Sequence, residues 1–468
     1  MDFKTKINKC VVRIYADDIN INWNIPYLID APQKGQGTGF FIDNKGHILT
    51  CAHVVSNSKN VYIEIPQINS DKYECEIIFI CPEFDIALLK TKIYKSKDYV
   101  ILGDSNKLKI GKKVHVVGYP VSFSKTSRNA NNLKITTGII NGQQTGIIQT
   151  DSTINPGNSG GPLFCDNKVI GINSSKLVGD GIENVGASIP INNYKIIKDE
   201  HDKIIYRPNL LFDYNNTDKN IIREMTNGKI DNGIIVSKIY EGSVFENTEL
   251  KKDSIISEIN NIKINNYGLT DNYTWLGTNI NINILMNKFK NNEVINIKYY
   301  NNSKMHISKI TIKPFIPPTR TIYHMFEKVD YMIIGCMIFM NLSNNHYNTI
   351  NNIDILCLQF NPKLLLKSHL IISFIFPNSK VNILNNLDKG NIITKINDIS
   401  VDSLDKMRNA LKKPIIINNI EYIKFEASSG HSIILSVDEI IKQDLLFSKI
   451  NNYELNEFHK KYLKKYNK

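Results

Sequence analysis

The stretch "DSTINPGNSGGPLF", from Asp151 to Phe164, places Ser159 among three glycines and two prolines, directly before an apolar segment. Glycine reaches backbone angles that other residues avoid and proline fixes its own φ, so this composition predicts a tight turn of unusual shape. An ordinary surface turn has a similar composition. A surface turn requires no particular residue elsewhere in the chain, whereas a catalytic serine does. A nucleophilic serine needs a general base, a carboxylate that orients the base, and N–H donors for an oxyanion.

Candidates for the base and the carboxylate lie upstream of the serine. His53 in "ILTCAHVV" follows an apolar, strand-like run, and Asp85 in "CPEFDIALLK" directly precedes another. Taken alone, a histidine beside Ala and Val is more often a packed or surface residue, and an aspartate before a strand is commonly a turn former. The three residues together, each at the end of an element in one β-rich region, favour a Ser-His-Asp triad.

The region from about residue 10 to residue 195 predicts many short strands. The runs are "CVVRIYA", "GTGFFID", "HILTCAHVV", "VYIEIP", "ECEIIFI", "DIALLK", "KVHVVGYP", "LKITTGII", "GIIQTD" and "KVIGINSS". Turn residues separate them at short intervals, and helical periodicity is nearly absent. This pattern is typical of an antiparallel barrel or sandwich.

Three blocks, "GTGFFIDNKGHILTCAHVV", "DIALLK" and "INPGNSGGPLF", resemble the signatures of the HtrA/Deg family of chymotrypsin-fold serine proteases. Flanking pieces such as "VHVVGYP", "TTGII" and "VGASIPI" follow in the family's order. The resemblance implies a mostly β fold, with a chymotrypsin-like double β-barrel protease domain at residues 1–204. It makes Ser159 the nucleophile, His53 the general base and Asp85 the residue that orients the base. The N–H groups of Gly157 and Ser159, with Asn158 between them, would form the oxyanion hole.

The resemblance also bears on substrate preference and on cofactors. Trypsin-like enzymes that cleave after Lys or Arg carry an acid six residues before the serine, where this chain has Thr153. The prediction is a pocket for small or medium apolar side chains, lined by Thr153, Ile172, Asn173 and Ser174. No cofactor and no metal is expected. The loop Asn141–Gly146 is much shorter than the loop that senses the PDZ domain in bacterial relatives, which puts that mode of activation in doubt.

The C-terminal half resembles two further α+β domains. Residues 205–316, through "GIIVSKIYEGSVFENTELKKDSIISEINN", resemble a PDZ domain that binds peptide C-termini near Leu210, Leu211 and Phe212. A PDZ domain kept only as a structural clamp is the alternative. Residues 317–468 resemble the degenerate PDZ-like domain of plant-type Deg proteases, with a role in assembly. The similarity of "GNIITKINDISV" to "DSIISEINNIKI" indicates an internal duplication.

Composition limits the remaining possibilities. The chain has 468 residues, a formal net charge of +12 and seven cysteines without metal-ligand spacing. The lysines are interleaved with Asn and Ile along the whole chain, so nucleic-acid binding is not expected. The odd cysteine count favours a reducing environment. With neither a signal peptide nor a membrane-spanning segment recognised, the prediction is an intracellular, cytoplasmic protein without membrane contact.

The expected function is that of a serine endopeptidase acting on unfolded or misfolded proteins, in quality control, as a homo-oligomer. The alternative is a catalytically silent, chaperone-like scaffold on the same fold.

Overall fold

The computed structural model describes residues 3–92, 97–120, 133–174, 185–350, 352, 355 and 366–466. The chain divides into two compact units. Unit 1 comprises residues 1–18 and 33–315, and unit 2 comprises residues 19–32 and 316–468. The division into three domains at residues 205 and 317 stays a prediction, because the protease region and the region that follows it form one unit.

Unit 1 begins with a short helix, α1 (Phe3–Cys10), and a closed antiparallel barrel with the strand order β1-β2-β3-β6-β5-β4. The strands are β1 (Val11–Asp18), β2 (Gln33–Phe41), β3 (His47–Thr50), β4 (Ser58–Glu64), β5 (Lys72–Cys81) and β6 (Ile86–Thr91). One short helix, α2 (Ala52–Val55), follows β3. Closure leaves no unpaired strand edge, so short strands suffice to build a stable sheet.

A second closed antiparallel barrel follows, with the order β10-β11-β12-β9-β8-β7. Its strands are β7 (Lys113–Gly118), β8 (Lys134–Gln144), β9 (Ile147–Thr150), β10 (Pro162–Cys165), β11 (Lys168–Asn173) and β12 (Gly186–Pro190). Helix α3 (Ile191–Ile197) closes this part. The two barrels confirm the predicted mostly β, chymotrypsin-like double barrel.

The rest of unit 1 is an α+β sheet with the order β13-β14-β15-β19-β20, with β16 paired to β15 and a separate hairpin β17-β18. The strands are β13 (Phe212–Asn215), β14 (Ile234–Ile239), β15 (Ile255–Ile259), β16 (Ile262–Lys263), β17 (Leu269–Trp275), β18 (Thr278–Asn281), β19 (Val294–Asn301) and β20 (Lys304–Thr311). The helices are α4 (Lys219–Met225) and α5 (Ile282–Met286).

This sheet and the second barrel share one hydrophobic core. Val116 and Leu163 of the barrel belong to the same cluster of buried residues as Ile256 and Trp275 of the sheet region. Trp275 is 2% exposed, and its indole N–H donates to the Ser105 carbonyl at 2.9 Å. A shared core explains why the two regions form a single unit.

Unit 2 is built on an antiparallel sheet with the order β21-β22-β23-β24-β27-β26, with β25 paired to β24 and β28 paired to β27. The strands are β21 (Met332–Ile334), β22 (Met337–Asn341), β23 (Leu370–Ile375), β24 (Ile392–Ile396), β25 (Ile399–Ser400), β26 (Ile415–Ile417), β27 (Ile420–Ala427) and β28 (Ser432–Ser436). The helices are α6 (Lys380–Leu384), α7 (Leu404–Ala410), α8 (Val437–Asn451) and α9 (Glu457–Tyr466).

The segment of residues 19–32 lies between β1 and β2 in the sequence but packs in unit 2. The Trp23 ring meets the His346 ring edge-on at 5.6 Å. The Ser373 hydroxyl donates to the Asn24 carbonyl at 3.0 Å, and Nε2 of His324 lies 2.7 Å from the Ile19 carbonyl. We call residues 19–32 the inserted segment. No sequence pattern predicted this placement.

The two similar stretches form the same local structure. In "DSIISEINNIKI", β15 turns into β16 through Asn260 and Asn261, which have φ of 46° and 63°. In "GNIITKINDISV", β24 turns into β25 through Asn397 and Asp398, with φ of 51° and 61°. Two consecutive left-handed residues make the turn type that suits a tight hairpin, and Asn and Asp tolerate that conformation. Within the described part of the chain, no helix is long and apolar enough to cross a membrane.

Candidate active site

His53 lies in helix α2, immediately after strand β3, and not at the strand end that its sequence indicates. Asp85 anchors the start of this helix. Its carbonyl accepts the Ala52 N–H at 3.1 Å, and its Oδ1 accepts the His53 N–H at 2.9 Å. The single helical turn therefore fixes the backbone of the histidine against the aspartate.

The side chains of His53 and Asp85 face each other. Nδ1 of His53 is 2.7 Å from Oδ2 and 3.0 Å from Oδ1 of Asp85. The carboxylate accepts bonds only, so Nδ1 carries the proton and the other ring nitrogen, Nε2, is the basic one. The His53 side chain is 24% exposed, so substrate can reach it, whereas that of Asp85 is only 9% exposed.

A third group completes the surroundings of Asp85. The Ser174 hydroxyl, itself fully buried, donates to Oδ2 at 3.0 Å. Burial by itself raises the pKa of Asp85, but the bonds and charge from His53 and the bond from Ser174 outweigh it, and the net pKa lies below the usual value. Asp85 also has a φ of 54°, a left-handed conformation that is strained for a non-glycine residue. The fold holds this residue as an ionised carboxylate in one position.

Ser159 directly follows the Pro-Gly turn of the second barrel. The Asn158 N–H donates to the Asn155 carbonyl at 3.0 Å, and Gly157 has a φ of 93°. With Pro156 at the second position, this is a type II turn, in which the third residue needs a positive φ. Ser159 is 4% exposed. The prolines and glycines thus define the backbone geometry at the serine.

Thr38 of strand β2 holds this turn in place, although no sequence motif singled it out. Its N–H donates to the Ser159 carbonyl at 2.9 Å, and its hydroxyl donates to the Gly157 carbonyl at 2.7 Å. The same hydroxyl accepts the Tyr119 N–H at 2.9 Å. Thr38 is fully buried, so its hydroxyl has no alternative partner in solvent. One threonine therefore ties both barrels to the serine turn.

Two glycines allow the close approach of these elements. A Cβ on Gly160 (φ 85°) would lie 2.1 Å from Oγ1 of Thr50, and strain would add to the clash. A Cβ on Gly37 would lie 2.6 Å from Cγ1 of Val54 and 3.3 Å from the Ser159 carbonyl oxygen. The residue after His53 and the backbone of Ser159 therefore meet at Gly37, which brings the two candidate catalytic residues to one place.

The four residues predicted to line a specificity pocket lie in different surroundings. Thr153 is exposed, whereas Ile172, Asn173 and Ser174 are fully buried. The Asn173 carbonyl accepts the Gly160 N–H at 2.8 Å, and its side chain donates to the Pro162 carbonyl at 3.1 Å. The side chains of Asn173 and Ser174 thus support the loop that carries Ser159 and the carboxylate of Asp85. Their lining of a pocket stays a prediction.

Cys51 lies directly behind the pair. Its thiol donates to the Asn173 carbonyl at 3.2 Å, and burial, together with the charge of Asp85, raises its pKa well above the usual value. Among the described residues, the side chains of Cys51, His53 and Asp85 form the group whose spacing, within 4.8 Å, could hold a metal ion. The bond from Nδ1 to Asp85 and the thiol's bond to the Asn173 carbonyl already occupy these atoms. That no metal takes part in the function stays a prediction.

The residues predicted to bind peptide C-termini lead into strand β13. The Ser243 hydroxyl donates to the Leu210 carbonyl at 2.7 Å, and the Tyr240 N–H donates to the Leu211 carbonyl at 2.9 Å. Leu211 has a φ of 54°, in the left-handed region that favours glycine. Phe212 packs edge-on against Phe245, with ring centroids 5.7 Å apart. β13 is the last strand of its sheet, so it offers an edge to which a peptide strand could be added. Peptide binding at this edge stays a prediction.

Comparisons with known proteins agree with this geometry. Residues 37–172 match the family described as the trypsin-like peptidase domain. A probable periplasmic serine endoprotease DegP-like from Marinomonas sp. (strain MWYL1) is 29% identical over 301 residues, 60% of this chain and 58% of the relative. Serine protease HTRA1 from Xenopus laevis is 34% identical over 210 residues, 42% of this chain and 41% of the relative. The chain therefore matches about half of the length of these relatives.

A solved structure shows the same fold. A variant of the HtrA-type protease AlgW with a decapeptide superimposes with a TM-score of 0.52 and 18% identity, over 68% of this chain and 99% of that one. At this identity the match supports the architecture alone.

The relatives correct the predicted location. An intracellular, cytoplasmic protein was expected, but the relatives from Marinomonas and from Chlamydia pneumoniae are named periplasmic endoproteases, which point to a location outside the cytoplasm. The cysteines do not report on the compartment, for a physical reason. Six cysteines are free and buried, and Cys357 lies outside the described residues. Burial raises the pKa of the Cys75 thiol to about 12, for example, so little reactive thiolate forms in any compartment.

Three independent observations converge: the trypsin-like domain, the relatives named as HtrA and DegP-like proteases, and the double barrel with its His53–Asp85 pair. Residues 37–172 therefore match a trypsin-like peptidase domain, and the chain is similar to proteins named as HtrA and DegP-like serine proteases.

Proposed function

We propose that the protein is a serine endopeptidase that uses Ser159, His53 and Asp85. The observation that carries the proposal is the His53–Asp85 contact of 2.7 Å, backed by the Ser174 hydroxyl and placed beside the serine turn. A buried aspartate with a strained backbone is energetically costly, three hydrogen-bond donors stabilise its charged form, and catalysis accounts for the arrangement.

In the proposed mechanism, Nε2 of His53 accepts the proton of the Ser159 hydroxyl while Oγ attacks the peptide carbonyl carbon. The protonated imidazole then donates that proton to the leaving amine, and water repeats the sequence to release the acyl group. Asp85 keeps the imidazole in one tautomer and stabilises its positive charge. The N–H groups of Gly157 and Ser159 are assigned to the oxyanion, where the loss of one donor costs about 10²–10³-fold in rate.

We further propose unfolded or misfolded proteins as substrates, with small or medium apolar side chains before the scissile bond. Thr153, at the position of the trypsin-type acid, is uncharged, so a basic side chain would find no ion-pair partner there. Fluorogenic peptides with Ala, Val, Lys or Phe before the scissile bond test this preference. Faster cleavage after Lys than after Val would contradict it.

The short hairpin turn between β8 and β9 supports a fixed link between the protease and the following sheet. Gln143 donates from Nε2 to Oγ1 of Thr278 at 2.7 Å. A Cβ added to Gly146 would lie 3.2 Å from Ile284 of helix α5. In this proposal the short turn is held permanently by the predicted PDZ domain of residues 205–316 and does not need a long sensing loop. Homo-oligomerisation remains part of the proposal and can be measured by light scattering.

The direct test is cleavage of fluorescently labelled casein at neutral pH by the wild type, by Ser159→Ala and by Ser70→Ala. Ser70 is an exposed serine on the first barrel and serves as the matched control. We expect equal cleavage by the wild type and Ser70→Ala, and none by Ser159→Ala. Binding of casein without cleavage by any of the three proteins would instead support a catalytically silent scaffold.

A further inference from the structure

The turn between β21 and β22 in unit 2 binds a carboxylate. Gly335 and Cys336 form this turn with φ of 61° and 59°. The Gly335 N–H donates to Oδ2 of Asp444 at 2.8 Å, and the Cys336 N–H donates to Oδ1 at 2.7 Å. Successive N–H groups that converge on one anion form a concave anion site. Each carboxylate oxygen has its own donor, as a peptide's terminal carboxylate would in a backbone site.

Asp444 is an unusual residue at this position. It lies in helix α8 and is fully buried, as is His459 of helix α9. Nε2 of His459 is 2.7 Å from Oδ2 of Asp444. An aspartate is almost never fully buried without partners, because an unpaired charge is costly to remove from water. The turn and the histidine together provide those partners.

Asn456 orients the histidine. Its amide nitrogen donates to the Ile333 carbonyl at 2.7 Å, so its Oδ1 is the atom that faces Nδ1 of His459, at 3.0 Å. Both ring nitrogens of His459 therefore face oxygen atoms of the protein, and the ring is held against the side chain of Asp444.

Strand β22, which follows this turn, is paired along both of its edges by the same chain, with β21 on one side and β23 on the other. Binding of a peptide C-terminus by strand addition needs a free strand edge beside the carboxylate site. Ile333 of β21 lies opposite Ile338 of β22, and on β21, the outer strand of the sheet, the Ile333 carbonyl accepts a bond from the Asn456 side chain. Parts of unit 2 therefore already occupy both the carboxylate site and the strand edge that a C-terminal peptide would require.

We propose that the Gly335–Cys336 turn is a carboxylate site whose resident ligand is Asp444, so that unit 2 is closed to external peptide C-termini. The inference is independent of the proposed catalysis, and its tests use the full chain in the Ser159→Ala background. Replacement of Asp444 by Ala leaves a cavity of carboxylate size between the turn and His459. Sodium formate is the probe, because it supplies a carboxylate small enough for that cavity.

We expect Asp444→Ala to lower the melting temperature, and formate to restore it in a saturable manner at constant ionic strength. The matched control, Asp438→Ala, changes an exposed aspartate on the same helix and should melt like the parent with no response to formate. No response to formate by folded Asp444→Ala would overturn the proposal.

If Asp444→Ala does not fold, Asp444→Asn decides the question by hydrogen exchange. The isosteric amide offers one acceptor atom where the carboxylate offers two, so exchange should be at least 10-fold faster than in the parent at whichever of the Gly335 and Cys336 amides faces the new NH2 group. Unchanged exchange would refute the role of Asp444. A photo-crosslinking peptide with a free C-terminal valine tests closure directly, and the same peptide with an amidated C-terminus is its control. Crosslinking of the free peptide, but not of the amidated one, to residues 316–468 of the parent chain would show that unit 2 is open and would refute closure.

Discussion

Replacement of Thr38 by valine tests whether the serine turn depends on the hydroxyl behind it. Valine keeps the size and branching of threonine, but it can neither donate to the Gly157 carbonyl nor accept from the Tyr119 N–H, bonds of 2.7 and 2.9 Å. Thr38 is fully buried, so water cannot replace the lost partner. Each buried group left unpaired costs about 1–3 kcal/mol, which gives about 2–6 kcal/mol for the two.

That cost is within the stability of a typical domain, about 5–15 kcal/mol, so the variant should fold at 25 °C with a lowered melting temperature. The lost bond frees the Gly157 carbonyl, and a shifted turn misplaces one oxyanion donor. We expect kcat to fall by about 10²-fold, with a smaller change in KM, because a misplaced donor acts on the transition state. Thr38→Ser, which keeps the hydroxyl, should remain within a few-fold of the wild type.

The assay is steady-state cleavage of a fluorogenic peptide, with circular dichroism to confirm folding. A folded Thr38→Val enzyme with the wild-type kcat would refute the reasoning, since the turn would then hold its geometry without the threonine hydroxyl.

Three other predictions follow from the site and from unit 2. Asp85→Asn, which keeps the shape but favours the wrong histidine tautomer, should lower kcat by about 10⁴-fold, measured on the same peptide beside Ser70→Ala. EDTA should leave cleavage unchanged, and loss of activity that zinc restores would show that a metal is required. His346 is fully buried, and burial lowers its pKa from 6.5 to about 4. The folded protein therefore disfavours the protonated ring, so stability is complete above pH 6.5 and falls by up to about 3 kcal/mol as the pH drops towards 4. Chemical denaturation across this range should show the loss, and His346→Gln should flatten it.

The sequence predicted the parts of the site that depend on local chain chemistry. Pro156 and Gly157 can be read as a turn because their backbone preferences are intrinsic, and the order of His53, Asp85 and Ser159 matched a known pattern. The short strands predicted an antiparallel barrel or sandwich, and the resemblance to the HtrA/Deg family implied the double barrel. Each of these signals lies in a short block of consecutive residues, and the blocks occur in a recognisable order.

Features that depend on contacts between distant residues were not predictable in this way. Thr38 is one of many threonines until strand β2 brings it to Gly157, 119 residues away in the sequence. Ser174 was expected at a pocket wall, but its hydroxyl points to Asp85 because β11 ends beside the aspartate. The buried contact between Asp444 and His459 likewise joins two helices that no motif connects.

The inserted segment makes unit 2 more than a C-terminal extension. The polypeptide passes from one unit to the other after residue 18, after residue 32 and after residue 315. A shortened protein that ends at residue 315 would therefore keep Trp23, Ile25 and Tyr27 while losing the apolar cluster on which they pack. Such a truncation would expose these apolar side chains in the loop between β1 and β2 of the first barrel. Any loss of activity in the truncated protein would reflect the exposed loop as well as the missing unit. A truncation designed to test unit 2 must therefore shorten the inserted segment at the same time.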